Sequence, residues 1–550
     1  MWKRVVSRIL LTLLLIGMLT LAFDVQPVKA YETIYIRVDG SVEPSTANIT
    51  SADNVTYVFT NNNYDSIVVE RSNIIIDGVG HTVEGNGIGI GFRLISITNV
   101  TIKNTTIKGF YQGLYLQSTS NNTVSGNNIT NNDNGIWLQS TSNNTVSGNN
   151  ITNNDDGIYH CRSVNNTISG NNITNNIYAI FHCRFVNDTI FCGNSISNNV
   201  YGIYLRVCSN NSLVGNSISN NDYGIYLSEC VSNTISGNNI TANNVYGVYL
   251  SGSLSNSLVG NNITNNVYGT YLSGSSNNSL VGNNITANNN DGVYLSGSVN
   301  NTISGNNITA NNVYGVHLSE CVSNTISGNN ITNNDNGICL YSSSNNIFYS
   351  NNFIDNNQQV YTVTPDYANF WDYGYPSGGN YWSDYNGVDL NHDGVGDVAY
   401  IIDANNTDHY PLIGMFSSFN TFLGHLVNVI SNSTIEDFEY LESNSTIRMH
   451  VSGEEGIGFC RVSIPHVLMN VSDISVIIDD GSTPVLHPNY TLYDNGTHRW
   501  IYFAYEHSIH EIDIIPEFPT LIIPPLFMII TLITITVCLF GKNSFDIIKA

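Results

Sequence analysis

One phrase recurs about ten times along this chain, at intervals of 22 or 23 residues. It reads N-N-T-V/I-S-G-N-N-I-T-N-N-x-x-G-I/V-Y-L. A fixed period of this length indicates a solenoid, in which no single repeat buries its own apolar face. The interval is marked by the glycine that precedes the final I/V-Y-L of the phrase, a position that Ala179 takes in one repeat. These glycines are Gly113, Gly135, Gly157, Gly202, Gly224, Gly247, Gly269, Gly292, Gly315 and Gly337.

The apolar residues of each repeat indicate short strands. Ile136 and Leu138, for example, are two apart and share one face of a strand. A helical i, i+3, i+4, i+7 pattern is missing from the repeats. Asn and Gly suit sharp corners because they tolerate the left-handed backbone conformation. The sequence contains no proline between Pro44 and Pro365, as ladder hydrogen bonding on both sides requires. We therefore expect three short strands per coil of a parallel solenoid.

Three segments resemble the NosD family of periplasmic copper-binding proteins, part of the wider carbohydrate-binding and sugar-hydrolase β-helix proteins. Residues 73–85 and 99–110 are similar to its opening coils, and Gly378–Tyr385 (G-G-N-Y-W-S-D-Y) is similar to its closing segment. The resemblance covers about residues 55–413. It implies an all-β fold, a right-handed parallel β-helix. It implies little about activity, because this fold hosts many activities.

The two ends of the chain predict export and anchoring. Residues 1–30 have the basic start, apolar run and small-residue cleavage site of a secretory signal. Residues 521–540 carry no charge and are long enough to cross a bilayer as a helix. Pro516–Pro519 (P-E-F-P), just before that run, resembles the sorting motif of archaeal surface proteins. The sequence thus predicts a protein on the extracellular face of the cell membrane, anchored at its C-terminus.

Charge and cysteine content fit an exterior location. The formal net charge is −25 and the pI is about 4.6, which disfavours nucleic acid as a partner because phosphates need a basic face. Cys161 and Cys183 occupy one slot of adjacent coils, as do Cys208 and Cys230. Such slots lie about 4.8 Å apart, so either disulfides or stacked free thiols are expected. N-x-S/T sequons are dense, and some are expected to carry glycans.

An aromatic residue follows most of the marking glycines by two positions. It stands between two core residues and should point outward, forming a row of exposed rings. Such rings suit the apolar faces of sugars, so we expect a glycan or cell-surface polymer as partner; purely structural stacking is the alternative. The expected ligand-binding residues are Tyr115, Trp137, Tyr159, Tyr204, Tyr226, Tyr249, Tyr271 and Tyr294, with Phe181 in the same row. A second tyrosine often precedes the glycine, as at Tyr201, Tyr223, Tyr246, Tyr268 and Tyr314.

The segment at 389–397 (D-L-N-H-D-G-V-G-D) resembles a calcium loop. Tyr400 stands where an EF-hand has its bidentate glutamate, so a metal-free, Asx-rich turn is the alternative. A bound Ca²⁺ would stabilise the end of the solenoid. The expected ligands are Asp389, Asn391, Asp393, Asp397 and the backbone carbonyl of Val395.

Two histidine–cysteine pairs invite comparison with the copper of the resembling family. They are His160-Cys161 and His182-Cys183, at matched positions of adjacent coils. The histidines replace core leucines and should face inward, with the cysteines facing outward. Since alternating faces do not easily close one site, copper is not the expected cofactor.

Catalysis is not expected. The aspartates of the repeats are scattered, and no lyase, polygalacturonase or epimerase signature is present in the sequence. We expect an N-terminal cap at 31–60, a β-helix at 61–385, a closing loop at 386–413 and a β-sandwich stalk at 425–513. The predicted function is carbohydrate or surface-polymer binding and adhesion. A structural envelope spacer, NosD-like copper handling and polysaccharide degradation remain open as alternatives.

Overall fold

A computed structural model of the 550-residue chain describes residues 33–517, apart from 422, 471–472, 480–484 and 488. The predicted secretory signal (1–30) and membrane helix (521–540) lie outside these residues. Within the described ranges, no helix is long and apolar enough to cross a membrane. The chain divides into two compact units, Met1–Ile190 and Phe191–Ala550, with the strand Ile190–Cys192 at the division.

The first unit is a parallel β-helix whose coils carry one strand for each of three sheets, named A, B and C. Leu114 pairs with Ile136 and Tyr115 with Trp137, one repeat away. Sheet A consists of Val42–Glu43, Ile34–Ile36, Ile67–Val69, Ile90–Ile95, Gln112–Gln117, Asn134–Gln139, Asp156–Cys161 and Tyr178–Cys183. Sheet B consists of Ile49–Thr50, Thr56–Phe59, Ile74–Asp77, Val100–Lys103, Thr123–Ser125, Thr145–Ser147 and Thr167–Ser169. Sheet C consists of Thr82–Glu84, Thr106–Lys108, Asn128–Thr130, Asn150–Thr152 and Asn172–Thr174.

The second unit contains coils of the same three-strand kind. Its A strands are Tyr201–Arg206, Tyr223–Ser228, Tyr246–Ser251, Tyr268–Ser273, Val293–Ser296, Tyr314–Ser319, Asn336–Tyr341 and Gln358–Thr362. Its B strands are Ser212–Val214, Thr234–Ser236, Ser257–Val259, Ser279–Val281, Thr302–Ser304, Thr325–Ser327 and Ile347–Tyr349. Its C strands are Ser195–Ser197, Ser217–Ser219, Asn239–Thr241, Asn262–Thr264, Asn284–Thr286, Asn307–Thr309, Asn330–Thr332, Asn352–Ile354 and Tyr381–Trp382. The predicted parallel β-helix is confirmed.

In the second unit, the corners of the coils join a left-handed residue to a buried asparagine. Gly260, with φ of 60°, precedes Asn261, which is 1% exposed. The Asn261 side-chain amide donates to the Ile235 carbonyl (2.9 Å) and to Asn283 Oδ1 (2.9 Å) in the adjacent coils. Its backbone N–H also donates to Asn283 Oδ1 (3.0 Å). Thus the first residue of the corner makes the turn and the second ties three coils together.

These asparagines form three ladders in the second unit, one at each corner. Between the A and B strands the ladder contains Asn211, Asn233, Asn256, Asn278, Asn301, Asn324 and Asn346. Between B and C it contains Asn194, Asn216, Asn238, Asn261, Asn283, Asn306, Asn329 and Asn351. Between C and A it contains Asn199, Asn221, Asn243, Asn266, Asn288, Asn311, Asn334 and Asn356.

The N-terminal end of the first unit is covered by antiparallel strands. Ile34–Ile36 pairs in parallel with Ile67–Val69, so part of the predicted cap is itself a strand of sheet A. Val42–Glu43 then runs antiparallel to Ile34–Ile36 and forms the end of that sheet. A chain reversal of this kind keeps the parallel edge from pairing with another molecule.

Aromatic residues close the last coils of the second unit. Trp371 stacks on Phe348 and Trp382 stacks on Phe353, with ring centroids 4.2 and 4.3 Å apart. The buried Asp408 accepts a hydrogen bond from Trp382 Nε1 (2.9 Å). Burial raises the pKa of Asp408 to about 7. The strands Tyr400–Asp403 and Asn406–Asp408 form a small hairpin in this closing segment.

Two five-stranded antiparallel sheets follow and pack as a sandwich around a shared core that includes Val462, Met449 and Ile512. The first sheet has the strand order Met415–Asn420, Leu426–Ser431, Ile457–Pro465, His498–Glu506 and Thr491–Asp494. The second has the order Thr434–Leu441, Thr446–Ser452, His510–Glu517, Asp473–Asp479 and Val485–Leu486.

Candidate functional site

The most regular surface feature of the second unit is a stack of tyrosine rings on the A strands, here called the first tyrosine column. Neighbouring ring centroids lie 4.6–5.1 Å apart and ring planes differ by only 3–12°. The distance matches the spacing of adjacent strands, so each coil contributes one ring per step. The column consists of Tyr204, Tyr226, Tyr249, Tyr271 and Tyr294.

A second tyrosine column runs beside the first. Its ring centroids lie 4.8–5.4 Å apart along the column. Rings also meet between the columns, as Tyr246 does with Tyr249 at 5.0 Å. The column consists of Tyr201, Tyr223, Tyr246 and Tyr268.

The stacking changes what these rings offer to a ligand. In the first column the near-parallel planes cover one another's faces, and every ring in it is half-buried rather than exposed. The expected outward row of stacked rings is present in this column, but the rings are half-buried and neighbouring rings cover their faces. Its rings present edges and hydroxyl groups instead.

Four of the tyrosine hydroxyls in the columns remain protonated at physiological pH. Burial raises the pKa of Tyr246 to about 12. It also raises the pKa of Tyr226, Tyr268 and Tyr294. At these four positions the columns therefore present neutral O–H groups, which both donate and accept hydrogen bonds.

The corresponding aromatic residues of the first unit are packed less regularly. Tyr115 meets Trp137 edge-on at 82°, and Tyr159 meets Phe181 at 81°. The Tyr159 hydroxyl lies 3.0 Å from Cys183 Sγ. The residues predicted as one uniform row thus form an ordered stack only in the second unit.

A carboxylate and a histidine interrupt the columns, and the sequence reasoning did not connect them. Asp291 takes the position held by Tyr246 and Tyr268 in earlier coils, and His317 stacks on Tyr294 at 4.4 Å. Asp291 Oδ2 lies 3.1 Å from His317 Nδ1. Its other oxygen is buried without a hydrogen-bond partner among the described residues. The signal was present in the sequence, because both residues break the tyrosine pattern 26 residues apart.

His160 and His182 lie inside the first unit, as predicted, and both are fully buried. Asn166 Nδ2 donates to His160 Nε2 (3.0 Å), which leaves His160 Nδ1 as the donor to His182 Nε2 (3.1 Å). Burial lowers the pKa of His160 to about 3 and lowers that of His182 as well. The pair is therefore neutral in the folded protein.

The histidine pair does not fit a copper site. It supplies two nitrogen donors in a closed core, and no three His, Cys, Asp or Glu side chains converge to hold a metal ion anywhere in the described ranges. Cys161 and Cys183 are free, and the other cysteines of the described chain are also free thiols: Cys192, Cys208, Cys230, Cys321, Cys339 and Cys460.

The predicted calcium loop curls around its first aspartate. Asp389 accepts hydrogen bonds from the backbone N–H groups of Asp393 (3.1 Å) and Gly394 (2.9 Å). Asp393 in turn accepts from the N–H of Val395 (2.9 Å), and Asp397 accepts from the N–H of residue 390 (2.6 Å). Asn391 Nδ2 donates to Asp393 Oδ2 (3.3 Å). The carboxylates thus shape the loop, and they are not gathered as a ready-made ligand set.

Solved structures similar to this chain are remote. The A-module of the Azotobacter vinelandii mannuronan C-5 epimerase AlgE4 is 16% identical, with 52% of this chain and 88% of that one covered and a TM-score of 0.35. The periplasmic alginate epimerase AlgG is 17% identical (58% and 80% covered, TM-score 0.33). Tailspike protein 3 of bacteriophage CBA120 is 12% identical (68% and 61%, TM-score 0.29). At such values none of them bears on the activity of this chain.

No curated protein matches the sequence. The family described as "Periplasmic copper-binding protein (NosD)" matches residues 33–221, 181–290 and 246–387. These matches cover more than half of the chain and include the coils, corners and asparagine ladders described above. The chain therefore belongs to the NosD family of β-helix proteins.

Proposed function

We propose that this protein is a non-catalytic binding and adhesion module of the cell surface, which holds a glycan or another repeating polymer along its two tyrosine columns. The observation that carries the proposal is the regular repeat of tyrosine hydroxyl groups, one step per coil, on the half-buried rings of the second unit. A ligand that itself repeats can make the same contact at successive coils. Such multivalent contact strengthens binding even when each single contact is weak.

The location supports this role. The family is a periplasmic one, in agreement with an extracellular or periplasmic site for this protein. We further propose that residues 1–30 direct export and that residues 521–540 anchor the protein in the membrane, as their composition predicts. The tyrosine columns would then face the polymers outside the cell.

The competing role is that of a structural spacer, for which the rings only stabilise the coils. Stacked aromatic pairs contribute about 0.5–1.5 kcal/mol each beyond their buried area. The two roles differ in what the hydroxyl groups do. Stacking needs only the rings, whereas binding through ring edges needs the O–H groups.

Replacing Tyr226, Tyr249 and Tyr271 together by phenylalanine separates these roles. The rings stay stacked, so we expect the melting temperature to change by less than about 3 °C. We expect at least a tenfold loss of affinity for the bound polysaccharide in pull-down and glycan-array measurements. Tyr367→Phe, at an exposed tyrosine outside the columns, serves as the matched control. Undiminished binding by the triple variant, or no glycan bound by the unaltered protein, would exclude the columns as a binding surface.

We also propose that the loop at 389–397 binds Ca²⁺ and stabilises the end of the solenoid. What supports this is the curl that Asp389 already imposes through two backbone N–H groups, together with the oxygen-bearing side chains that follow it within the same nine-residue segment. Burial raises the pKa of Asp389, which shows that its charge is poorly solvated and gains from a cation.

Calcium should accordingly raise thermal stability. At 100 times its Kd, Ca²⁺ stabilises a folded protein by about 2.7 kcal/mol, so we expect a rise in melting temperature of roughly 5 °C over the chelated protein. Asp389→Asn should abolish the rise, and Asp366→Asn, at an exposed aspartate, should preserve it. Identical melting temperatures in Ca²⁺ and in chelator would show the loop to be a metal-free turn.

A further inference from the structure

A buried arginine lies where the sandwich meets the closing segment of the solenoid. In the strand Ile457–Pro465, Cys460 and Val462 face the sandwich core, while Phe459 and Arg461 point to the opposite side of the sheet. Phe459 packs there against Val395 and Leu412 of the closing segment. Arg461 is therefore enclosed between two parts of the second unit, and it is only 2% exposed.

The charge of Arg461 is poorly compensated. Its Nη2 donates to the Pro376 carbonyl, which is the one hydrogen bond of the guanidinium to a residue that the structure describes. Arg461 forms no ion pair with any residue that the structure describes, and Asp393 and Asp389 act on its charge only at longer range. Asp393 is instead turned to the N–H of Val395. Burial lowers the pKa of Arg461 to about 10, so the guanidinium still carries its charge at neutral pH.

A buried cation with unpaired hydrogen-bond donors destabilises the fold unless an anion or another acceptor pairs with it. Arginine presents its donors in a planar fork that matches a carboxylate. Arg461 borders a cavity of about 220 Å³. Its walls are formed by Arg461 together with Tyr375, Asn391, Asp393, Thr491, Leu492, Tyr493, Trp500 and Tyr502.

Three aromatic side chains in the wall of the cavity contact one another. Tyr375 meets Tyr493 edge-on, with centroids 5.4 Å apart, and Tyr493 meets Trp500 at 5.9 Å. Unlike the rings of the tyrosine columns, these rings are not stacked face to face in a continuous row. The cavity is smaller than the roughly 300–1,000 Å³ typical of drug-sized ligands, so it suits a single ring-sized group.

We propose that this cavity binds one carboxylate-bearing sugar unit, with the carboxylate on Arg461 and the sugar ring against the Tyr375, Tyr493 and Trp500 wall. Asn391 and Thr491, at the rim, supply the amide and hydroxyl groups that sugar hydroxyls need. The site does not depend on the tyrosine columns, which lie on other strands. It would give the protein a preference for acidic over neutral saccharides.

Titration calorimetry of the full-length protein with mono- to trisaccharides of galacturonate and glucuronate tests this site. We expect saturable binding of the uronates, and at least tenfold weaker binding of neutral glucose oligomers and of sulfated oligosaccharides of equal length. Binding of neutral and acidic sugars with equal affinity overturns the proposal, as does binding of the sulfated series alone or no uronate binding at all.

Variants assign the binding to the cavity. Arg461→Gln should abolish uronate binding, and Tyr493→Ala, at a partly exposed wall residue that is safer for folding, should weaken it at least tenfold. Tyr367→Ala serves as the aromatic control and should bind normally. The Tyr226/Tyr249/Tyr271→Phe variant should also bind these short uronates normally, so failure of the column proposal leaves this result unaffected. Unchanged affinity in a folded Tyr493→Ala protein would place the binding elsewhere.

Discussion

His160 and His182 should lower the stability of the fold as the pH falls below about 6.5, because both are buried in their neutral forms. A histidine in the unfolded chain binds a proton near pH 6.5, whereas burial lowers the pKa of His160 to about 3 in the fold. The stability that this histidine contributes is thus fully present above pH 6.5 and is lost as the pH falls towards 3. The loss is about 1.4 kcal/mol for each pH unit, or about 3 kcal/mol at pH 4.5. His182, whose pKa is lowered too, adds to the loss in the same direction.

A double variant isolates this effect from other acid-sensitive groups. His160→Leu with His182→Leu restores the residue type that pairs in register at Leu138 in the adjacent coil. Asp156 and Asp408, whose pKa values burial raises to about 6 and about 7, oppose the histidines and remain in both proteins. Guanidinium unfolding at pH 7.5 and pH 4.5 should show that the variant loses at least 3 kcal/mol less than the unaltered protein over this interval. Equal losses would mean that the histidines are solvated or protonated in the fold.

Replacing a single ladder asparagine should also lower the free energy of unfolding by several kcal/mol. Asn283 bonds coils on both sides: its amide donates to the Leu258 carbonyl (2.9 Å) and to Asn306 Oδ1 (2.9 Å). Its Oδ1 accepts from both the backbone and the side chain of Asn261. Asn283→Ala leaves these buried groups without hydrogen-bond partners, and each such group destabilises the fold by about 1–3 kcal/mol. We therefore expect the free energy of unfolding to fall by about 4 kcal/mol.

The next residue provides the matched control. Asn284 is partly exposed, and its amide donates to Asn262 Oδ1 (2.7 Å) on the outside of the coil. Since water can replace that bond, Asn284→Ala should cost only about 0.5 kcal/mol. Denaturant unfolding of both variants makes the comparison. Similar losses for the two substitutions would show that the inner ladder is not what binds the coils together.

The coils were predictable from the sequence because few structures satisfy their pattern. The spacing of Ile136 and Leu138 requires a strand, and the 22- or 23-residue period requires stacked coils. The inward direction of His160 followed from the same alternation and is confirmed. Only one of the two roles of the Asn-Asn pairs at the corners was predicted. Their turn-forming role follows from local preference, whereas the ladder depends on the adjacent coils.

The candidate sites were harder to predict, since they depend on how side chains meet across coils. Alternation correctly places Tyr226 and Tyr249 outside the core, but it does not tell whether their rings lie flat, on edge or face to face. The pairing of Asp291 with His317 joins positions whose significance appears only when the coils are aligned. Arg461 lies in a segment without any repeat, so nothing in its neighbours in the sequence shows that it is enclosed.

The uniform corners of the second unit make its length adjustable by recombination. Asn261 meets Asn283, and Asn283 meets Asn306, through the same bonds. Deleting or duplicating one 22- or 23-residue segment would bring equivalent positions of two coils next to each other, so the remaining contacts would stay in register. Each event would change the distance between the ends of the unit by one strand spacing, about 4.8 Å. Natural selection could thus adjust the length of this unit in fixed increments while the fold of each coil stays the same.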